Sequence, residues 1–393
     1  MSRIAMVAYT YYSSDPRVQR EAEALASRGD EVIFYCLRKP GESSRERIRE
    51  VEVRHLPMAR YRGGNSVLYM SSYLLFLLLV QFTMTVDHLR HRYDLVHTNN
   101  MPDFMAFTGL WTRAMGCPLI LDIHDVMPEL YQGKFEVGPS HPMIRLLRFQ
   151  ERISAALATR VLTSEHTKKE ALIEHGINAE KIEVLLNLPD SRIFNREDLA
   201  TGSQDGGFRL INHGTIAHRL GLDIALRAVA EIGDAIPGLR LDIIGEGDHR
   251  DELIRLRAEL GIEDKVHFSD GFVPVEELPP LIRQADLAVI PSRPDVSTRY
   301  MLPTKLLEYA ILGVPAVVAP TYTIRHYFDE RSVEFFEPED SSSLAKKIIA
   351  LYKDSERRRS LILESARFFE KYDWPVHKQV YLDLVDSLVR KSD

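Results

Sequence analysis

The chain has 393 residues, 45% hydrophobic and 27% charged, room for two or three domains that each bury a core. Its net charge of −7 argues against a nucleic-acid partner. Two cysteines, Cys36 and Cys117, are too few for a disulfide framework or a cysteine zinc site, and their apolar settings predict buried free thiols in a reducing compartment.

In the first half, short apolar runs alternate with amphipathic stretches. The opening MSRIAMVAYT lacks a charged stretch followed by an apolar one, so no export signal is expected. Ile4–Ala8 predicts a strand. Asp15 and Pro16 supply an N-cap and a first-turn proline for a helix that ends at Gly29. Glu31–Leu37, Leu95–Thr98, Leu119–Ile123 and Arg160–Thr163 predict further strands. The polar segment Arg196–Gly207 interrupts the pattern and is read as a linker. Strands at Phe208–Asn212, Leu239–Ile244, Val266–Phe268, Leu287–Ile290 and Ala316–Ala319 follow, with helices at Leu222–Ile232, Arg250–Leu260 and Thr304–Leu312. The tail from Ser341 to Arg390 reads as helices, broken at Tyr372–Pro375. Such alternation predicts two doubly wound α/β domains, 1–198 and 199–372, facing a central cleft, with 373–393 a helix that crosses back to the first domain. Ligands of this architecture bind at the carboxyl ends of the strands.

Three stretches carry chemistry. Leu302–Val318 (LPTKLLEYAILGVPAVV) opens a helix at Pro303 and Thr304 and closes it at Gly313. Its free N–H groups and dipole suit a phosphate, and Lys305 adds a full charge. Glu308 shares the face of Thr304 and Lys305, where it can accept both hydroxyls of a ribose; the alternative is an ordinary surface Lys–Glu pair. In the second stretch, Asn212–Asp223, Gly214 permits close backbone approach and Arg219 offers a planar fork to phosphate oxygens, unless it is simply solvated. In the third, Leu121–Glu129, His124 and Asp125 follow an apolar strand and can bond sugar hydroxyls or assist proton transfer; the alternative is a turn before a helix. Gly271, Phe272 and Val273 end another strand, where a base ring can lie against them. The loop with Tyr11, Asp15 and Arg17 is expected to face an acceptor.

These stretches resemble glycosyltransferase family 4, whose members have the GT-B fold of two Rossmann-like domains. The similarity extends over nearly the whole chain and is densest from Leu210 to Val318, which includes LPTKLLEYAILGVPAVV, and DPRVQREAEALASRGDEV (Asp15–Val32) and LDIHDVMPE (Leu121–Glu129) look like exopolysaccharide-assembly members. The resemblance implies a transferase that moves a sugar from a nucleotide-sugar, uridine by default, with retention and without metal or cofactor. It implies Arg219 and Lys305 as a clamp on the donor diphosphate, Glu308 at the ribose and His124 near the donor sugar; the residue pattern itself adds Gly214 and Thr304 at the diphosphate, Phe272 and Val273 at the base and Asp125 beside His124. The family grips the sugar with a further glutamate, where this chain has Tyr300, and its loop lysine is replaced by Leu220. Asp295, Ser297, Thr298 and Arg299 are candidates for the missing grip. Two other functions stay open, a non-catalytic nucleotide-sugar-binding subunit and a nucleotide-sugar epimerase.

Val67–Val86 is twenty residues without a charge. It is long enough to span a bilayer, but strands predicted on either side of it belong to one sheet. It is therefore read as a helix packed on that sheet, with an outer face that is either covered or dipped into lipid. Arg38–Arg62 holds eight basic and four acidic residues, and Arg90 and Arg92 follow. The segment 38–92 is thus expected to touch the inner face of the membrane from the cytoplasm, where a glycan or lipid-linked acceptor would lie.

Overall fold

A computed structural model describes residues 1–61, 63, 65–196, 199–203 and 206–389. Two units emerge, Met1–Asn187 joined by the C-terminal segment from Trp374, and Leu188–Asp373.

The first unit holds strands β1 (Arg3–Val7), β2 (Glu31–Leu37), β3 (Arg45–Ile48), β4 (Val51–Leu56), β5 (Leu95–Asn99), β6 (Leu119–Ile123), β7 (Arg160–Thr163) and β8 (Ile182–Val184). They form one sheet in the order β3-β4-β2-β1-β5-β6-β7-β8, parallel except for the β3–β4 hairpin. Ile4, Met6, Phe34, Leu95 and Ile120 are fully buried, as continuous apolar runs in a sheet covered on both faces should be. Helix Pro16–Ser27 covers this core, and so does helix Trp374–Val389, which inserts Tyr381, Val385 and Leu388. Each such side chain contributes roughly 1.5–3 kcal/mol on burial.

The second unit holds β9 (Phe208–His213), β10 (Leu239–Ile244), β11 (Val266–Phe268), β12 (Leu287–Ile290), β13 (Ala316–Val318) and β14 (Glu334–Phe335), all parallel, in the order β11-β10-β9-β12-β13-β14. In each sheet the winding reverses beside a central strand, between β1 and β5 and between β9 and β12. The carboxyl ends of those strands are where a ligand crevice opens in this topology.

The linker reading of Arg196–Gly207 needs correction. The units divide between Asn187 and Leu188, and Leu188 and Phe194 are already buried. Ala200 donates its N–H to Leu312 O at 2.7 Å and Thr201 to Arg283 O at 3.0 Å, so this polar stretch is pinned to the second unit. Composition signals solvent exposure of side chains and says nothing of where backbone hydrogen bonds go. Residues 197, 198, 204, 205 and 390–393 lie outside the described residues.

The charge-free segment forms one helix, Ser66–Arg90, started by the Asn65 side chain, which accepts from Val67 N and Leu68 N. Tyr73, Phe76, Val80, Met84 and His88 recur at helical spacing and are buried, so one face is committed to the protein. Arg62, counted in the basic stretch, lies outside the described residues.

A buried histidine links three helices of the first unit. His175 Nδ1 bonds Glu151 Oε1 at 2.7 Å, and Nε2 bonds Glu129 Oε1 at 3.1 Å. Burial opposes protonation of His175, but the two carboxylates outweigh it and push the imidazole up to about 9. A raised pKa stabilises the fold fully below the free value of about 6.5, and the contribution is lost as pH rises through 9. The stability gap between wild type and His175→Gln should therefore narrow by on the order of 3 kcal/mol between pH 6.5 and 9 in denaturant melts. A gap independent of pH would show that the imidazole is neutral.

Candidate functional site

The second unit concentrates polar groups where β9 ends. Gly214 follows the strand with φ 104°, a conformation that favours glycine, and an added Cβ there would lie 3.6 Å from Lys305 Nζ. The neighbouring strand end approaches more closely. A Cβ on Gly245 would sit 2.0 Å from Gly214 O, and one on Gly247 would sit 1.9 Å from Ile216 O. Backbone lies directly on backbone here, so the two loops form one rigid floor.

Helix Thr304–Leu312 begins over this floor. Pro303, its N-cap residue, offers no side-chain cap; Leu306 N donates back to Pro303 O at 2.9 Å, so the N–H groups of Thr304 and Lys305 are the ones that keep their capacity for an anion. Lys305 donates from Nζ to Asn212 Oδ1 at 3.1 Å, and burial pushes its ammonium down to about 8 against the opposing pull of Glu308. Glu308, 8% exposed, is held at Oε2 by His213 Nε2 at 2.5 Å, while His213 Nδ1 meets the Tyr309 hydroxyl at 2.8 Å. Glu308 Oε1 has no partner among the described residues, so one carboxylate oxygen is fixed and the other can accept hydrogen bonds. Beside this group a cavity of ≈ 270 Å³ is lined by Gly214, Ile244, Gly245, Glu246, Phe272 and Val273. Phe272 is 76% exposed there, so its ring face is open to stack on a flat ligand.

Arg219 stands exposed on the turn His218–Leu220, and its side chain has no partner among the described residues. The turn itself is held by a residue that the sequence pattern does not flag. Arg293 donates to both oxygens of Asp223 at 2.9 and 2.7 Å and to His218 O at 2.7 Å, and its backbone N–H donates to Arg219 O at 3.0 Å. Asn212 and His213 were passed over in the same way. They lie within the stretch that was read for its glycine and arginine, and their roles depend on a helix ninety residues downstream.

Thr304 occupies the first turn as expected. Of the candidates for a sugar grip, Asp295 and Thr298 close a capping box, Asp295 Oδ1 accepting Thr298 N at 2.7 Å and Ser297 Oγ at 2.7 Å. Arg299 stacks its guanidinium over Tyr300 at 5.5 Å and Tyr322 at 4.8 Å. These groups shape the short helix Val296–Arg299 and its aromatic flank.

In the first unit His124 follows β6. Its Nε2 lies 3.1 Å from both Asn99 Oδ1 and Asp122 Oδ2, acceptors that engage this nitrogen and leave Nδ1 as the one open to a ligand. Asn100 Oδ1 holds the His124 N–H at 2.8 Å, and Lys168 bonds the His124 carbonyl. Asp125 is exposed, with Lys168 Nζ 3.6 Å away.

The loop expected to face an acceptor divides. Tyr11 Oη accepts from Arg60 N at 3.0 Å, and Asp15 caps its helix by accepting from Val18 N. Arg17 is buried, at 6% exposure, so the expectation of an acceptor-facing arginine is corrected: its Nη2 holds both oxygens of Asp122 at 2.7 and 2.8 Å, and Nε bonds Glu21 at 3.2 Å. An arginine one turn into an amphipathic helix can face either way, and the carboxylate that turns it inward comes from a strand a hundred residues on.

The same cluster contains Glu21, His97 and Asp122, whose ligand atoms all lie within 4.8 Å of one another, a grouping that sequence spacing does not show. Burial pushes Glu21 up to about 8, Asp122 adding and Arg17 opposing, and it pushes His97 down to about 4. Burial would raise Asp122 too, but Arg17 and His124 hold it below the usual carboxylate range.

Residues 14–187 match the glycosyl transferase 4-like domain, and residues 194–367 match the group 1 glycosyl transferases. Among curated relatives, the 2-deoxystreptamine glucosyltransferase of Streptomyces kanamyceticus is 28% identical over 46% of this chain, and the match spans about half (48%) of that protein. An uncharacterized glycosyltransferase of Methanocaldococcus jannaschii is 28% identical over 72% of each chain. Sucrose-phosphate synthase of Thermosynechococcus elongatus shares the fold at a TM-score of 0.79, with 16% identity and full coverage of both chains. Anabaena HepE, solved in complex with UDP-glucose, follows at 0.72 and 16%, covering 98% of this chain and 100% of that one. With nearly its whole length matched by these two domains, the chain belongs to the family-4 type of glycosyltransferases and has their GT-B fold.

Proposed function

We propose that this glycosyltransferase moves a sugar from a uridine diphosphate sugar to a glycan or lipid-linked acceptor, with retention, in cell-surface polysaccharide synthesis. The observation that carries the donor reading is Glu308, fixed by His213 at 2.5 Å with one oxygen left to accept, beside Lys305, Gly214 and an uncapped helix start. A ribose diol suits the carboxylate, a diphosphate suits the helix end, and a flat base suits the cavity at Phe272. The solved complexes of HepE with UDP and UDP-glucose support uridine, although they speak directly only of that protein.

In the step proposed, the bond from the anomeric carbon to the diphosphate oxygen breaks. The acceptor hydroxyl attacks on the same face, and its proton passes to the departing oxygen. Lys305, Arg219 and the helix N–H groups neutralise the charge that develops, so positioning and electrostatics carry the rate without metal or cofactor. The Glu21–His97–Asp122 group does not argue for an ion, because Arg17 already supplies the cation. His124 Nδ1 is open to a hydrogen bond with a sugar hydroxyl. We place the enzyme in the cytoplasm, at the inner face of the membrane. Tyr300, in the position of a carboxylate, favours as second reading a subunit that binds the nucleotide without turnover.

Saturating UDP-sugar should raise the melting temperature, equivalent to about 2.7 kcal/mol at a hundredfold excess over Kd, and Glu308→Ala should lose most of this gain. No shift with UDP-, GDP- or ADP-sugars in folded protein would sink the donor reading. Binding without any transfer would move the reading to the non-catalytic subunit.

Lys305 sheds its proton near pH 8, so UDP affinity measured by calorimetry should weaken as pH rises from 7 to 9. Lys305→Met should bind more weakly at pH 7 and lack that slope. An unchanged slope in the variant would assign the titration to another group.

A further inference from the structure

Helix Ser66–Arg90 is the one element among the described residues long and apolar enough to cross a membrane, with a hydropathy of 1.8, yet only 22% of its most apolar window is buried. Crossing conflicts with the sheet. β4 before the helix and β5 after it pair within one sheet, so both helix ends return to the same side, and the face with Phe76, Val80 and Met84 is already occupied. The opposite face is the anomaly. Val67, Leu74, Leu75, Leu78, Phe82 and Leu89 fall on one stripe at helical spacing, each 48% exposed or more. An aliphatic stripe of this length on a water-facing surface marks a contact with something apolar.

What flanks the stripe identifies the partner. Beside Phe82 and Val86, a recess of ≈ 390 Å³ opens between the helix and the β3–β4 hairpin, and Arg45, Arg54 and Arg90 line it. Arg54 is fixed at the floor, with Nη1 2.9 Å from Tyr35 Oη and 3.0 Å from Asp87, and Nε 2.7 Å from Glu52. The floor is therefore charge-balanced. Arg45 and Arg90 are exposed and have no side-chain partner among the described residues, so the rim carries uncompensated positive charge next to an apolar face. A lipid presents the same pair of features, acyl chains beside a phosphate.

We infer that the stripe Val67–Leu89 lies in the plane of an anionic phospholipid bilayer and that the Arg45–Arg54–Arg90 recess seats a lipid phosphate. This rests on the membrane-associated reading above and gives it a face and a headgroup chemistry. An in-plane amphipathic helix combines burial of its apolar side in the headgroup boundary with attraction to anionic lipid, and the geometry supplies both terms.

The test uses the full chain and vesicles of phosphatidylcholine with or without phosphatidylglycerol, read by co-sedimentation. Binding should be more than about tenfold tighter with phosphatidylglycerol, and Arg45→Glu with Arg90→Glu should remove that preference, about fivefold or more per arginine. Leu78→Glu and Phe82→Glu should abolish binding to both vesicles while the UDP-dependent thermal shift stays unchanged, which separates this inference from the donor reading. Three outcomes would overturn it: wild type that sediments with neither vesicle, binding indifferent to Leu78→Glu, or a preference for phosphatidylglycerol that survives in the double arginine variant. Light scattering that shows a dimer in wild type and a monomer in Leu78→Glu would also overturn it, by covering the stripe with a second copy.

Discussion

The contact between His213 and Glu308 joins the end of the central strand of the second unit to the helix that starts beside it. A carboxylate at 8% exposure is costly to hold ionised unless hydrogen-bonded, and His213 supplies that bond at 2.5 Å while Tyr309 fixes the other ring nitrogen. Three consequences follow from this one link. The helix start is brought over the glycine floor, Lys305 is carried close enough to reach Asn212, and the outer oxygen of Glu308 is aimed by a rigid support.

The first unit solves an analogous problem with a full ion pair. Arg17 spans from its helix to Asp122 at the end of β6, and Asp122 in turn sets the ring of His124. Buried pairs of this kind add little net stability, since desolvation offsets most of the attraction, but removal of one partner strands the other. Their consequence is geometric. Beside Asp122, His97 keeps its Nε2 4.0 Å away and without a hydrogen-bond partner among the described residues, while its Nδ1 meets the hydroxyl of Tyr381 at 2.8 Å and keys the C-terminal helix to β5. Tyr381 is fully buried in the same core as Met6 and Leu95, and that keying is insulated from water.

What was legible in the sequence was whatever depends on near neighbours. Glu31–Leu37, Leu119–Ile123, Leu222–Ile232 and Thr304–Leu312 stand where apolar runs and helical spacing put them, because period and caps are local. The β3–β4 hairpin was not legible, since Arg45–Ile48 alternates charge with charge and is an edge strand that needs only backbone pairing. Glu308 and Lys305 could be placed on one face by arithmetic, whereas His213, Arg293 and the inward turn of Arg17 depend on partners far along the chain. Burial decides these, and burial is a property of the fold.

Charge is unequally shared between the two halves of the chain. Residues 1–200 carry 25 basic and 25 acidic side chains, and residues 201–393 carry 25 and 32, so the second half bears the entire net charge of −7. Near an anionic surface the second half is repelled, while the basic hairpin of the first is attracted within a Debye length of about 8 Å. Neutral overall charge in the first half makes that attraction local, confined to the edge where the apolar stripe also lies. In the proposed bilayer contact both terms act on one edge of the first unit, where apolar burial sets depth and the arginines set orientation.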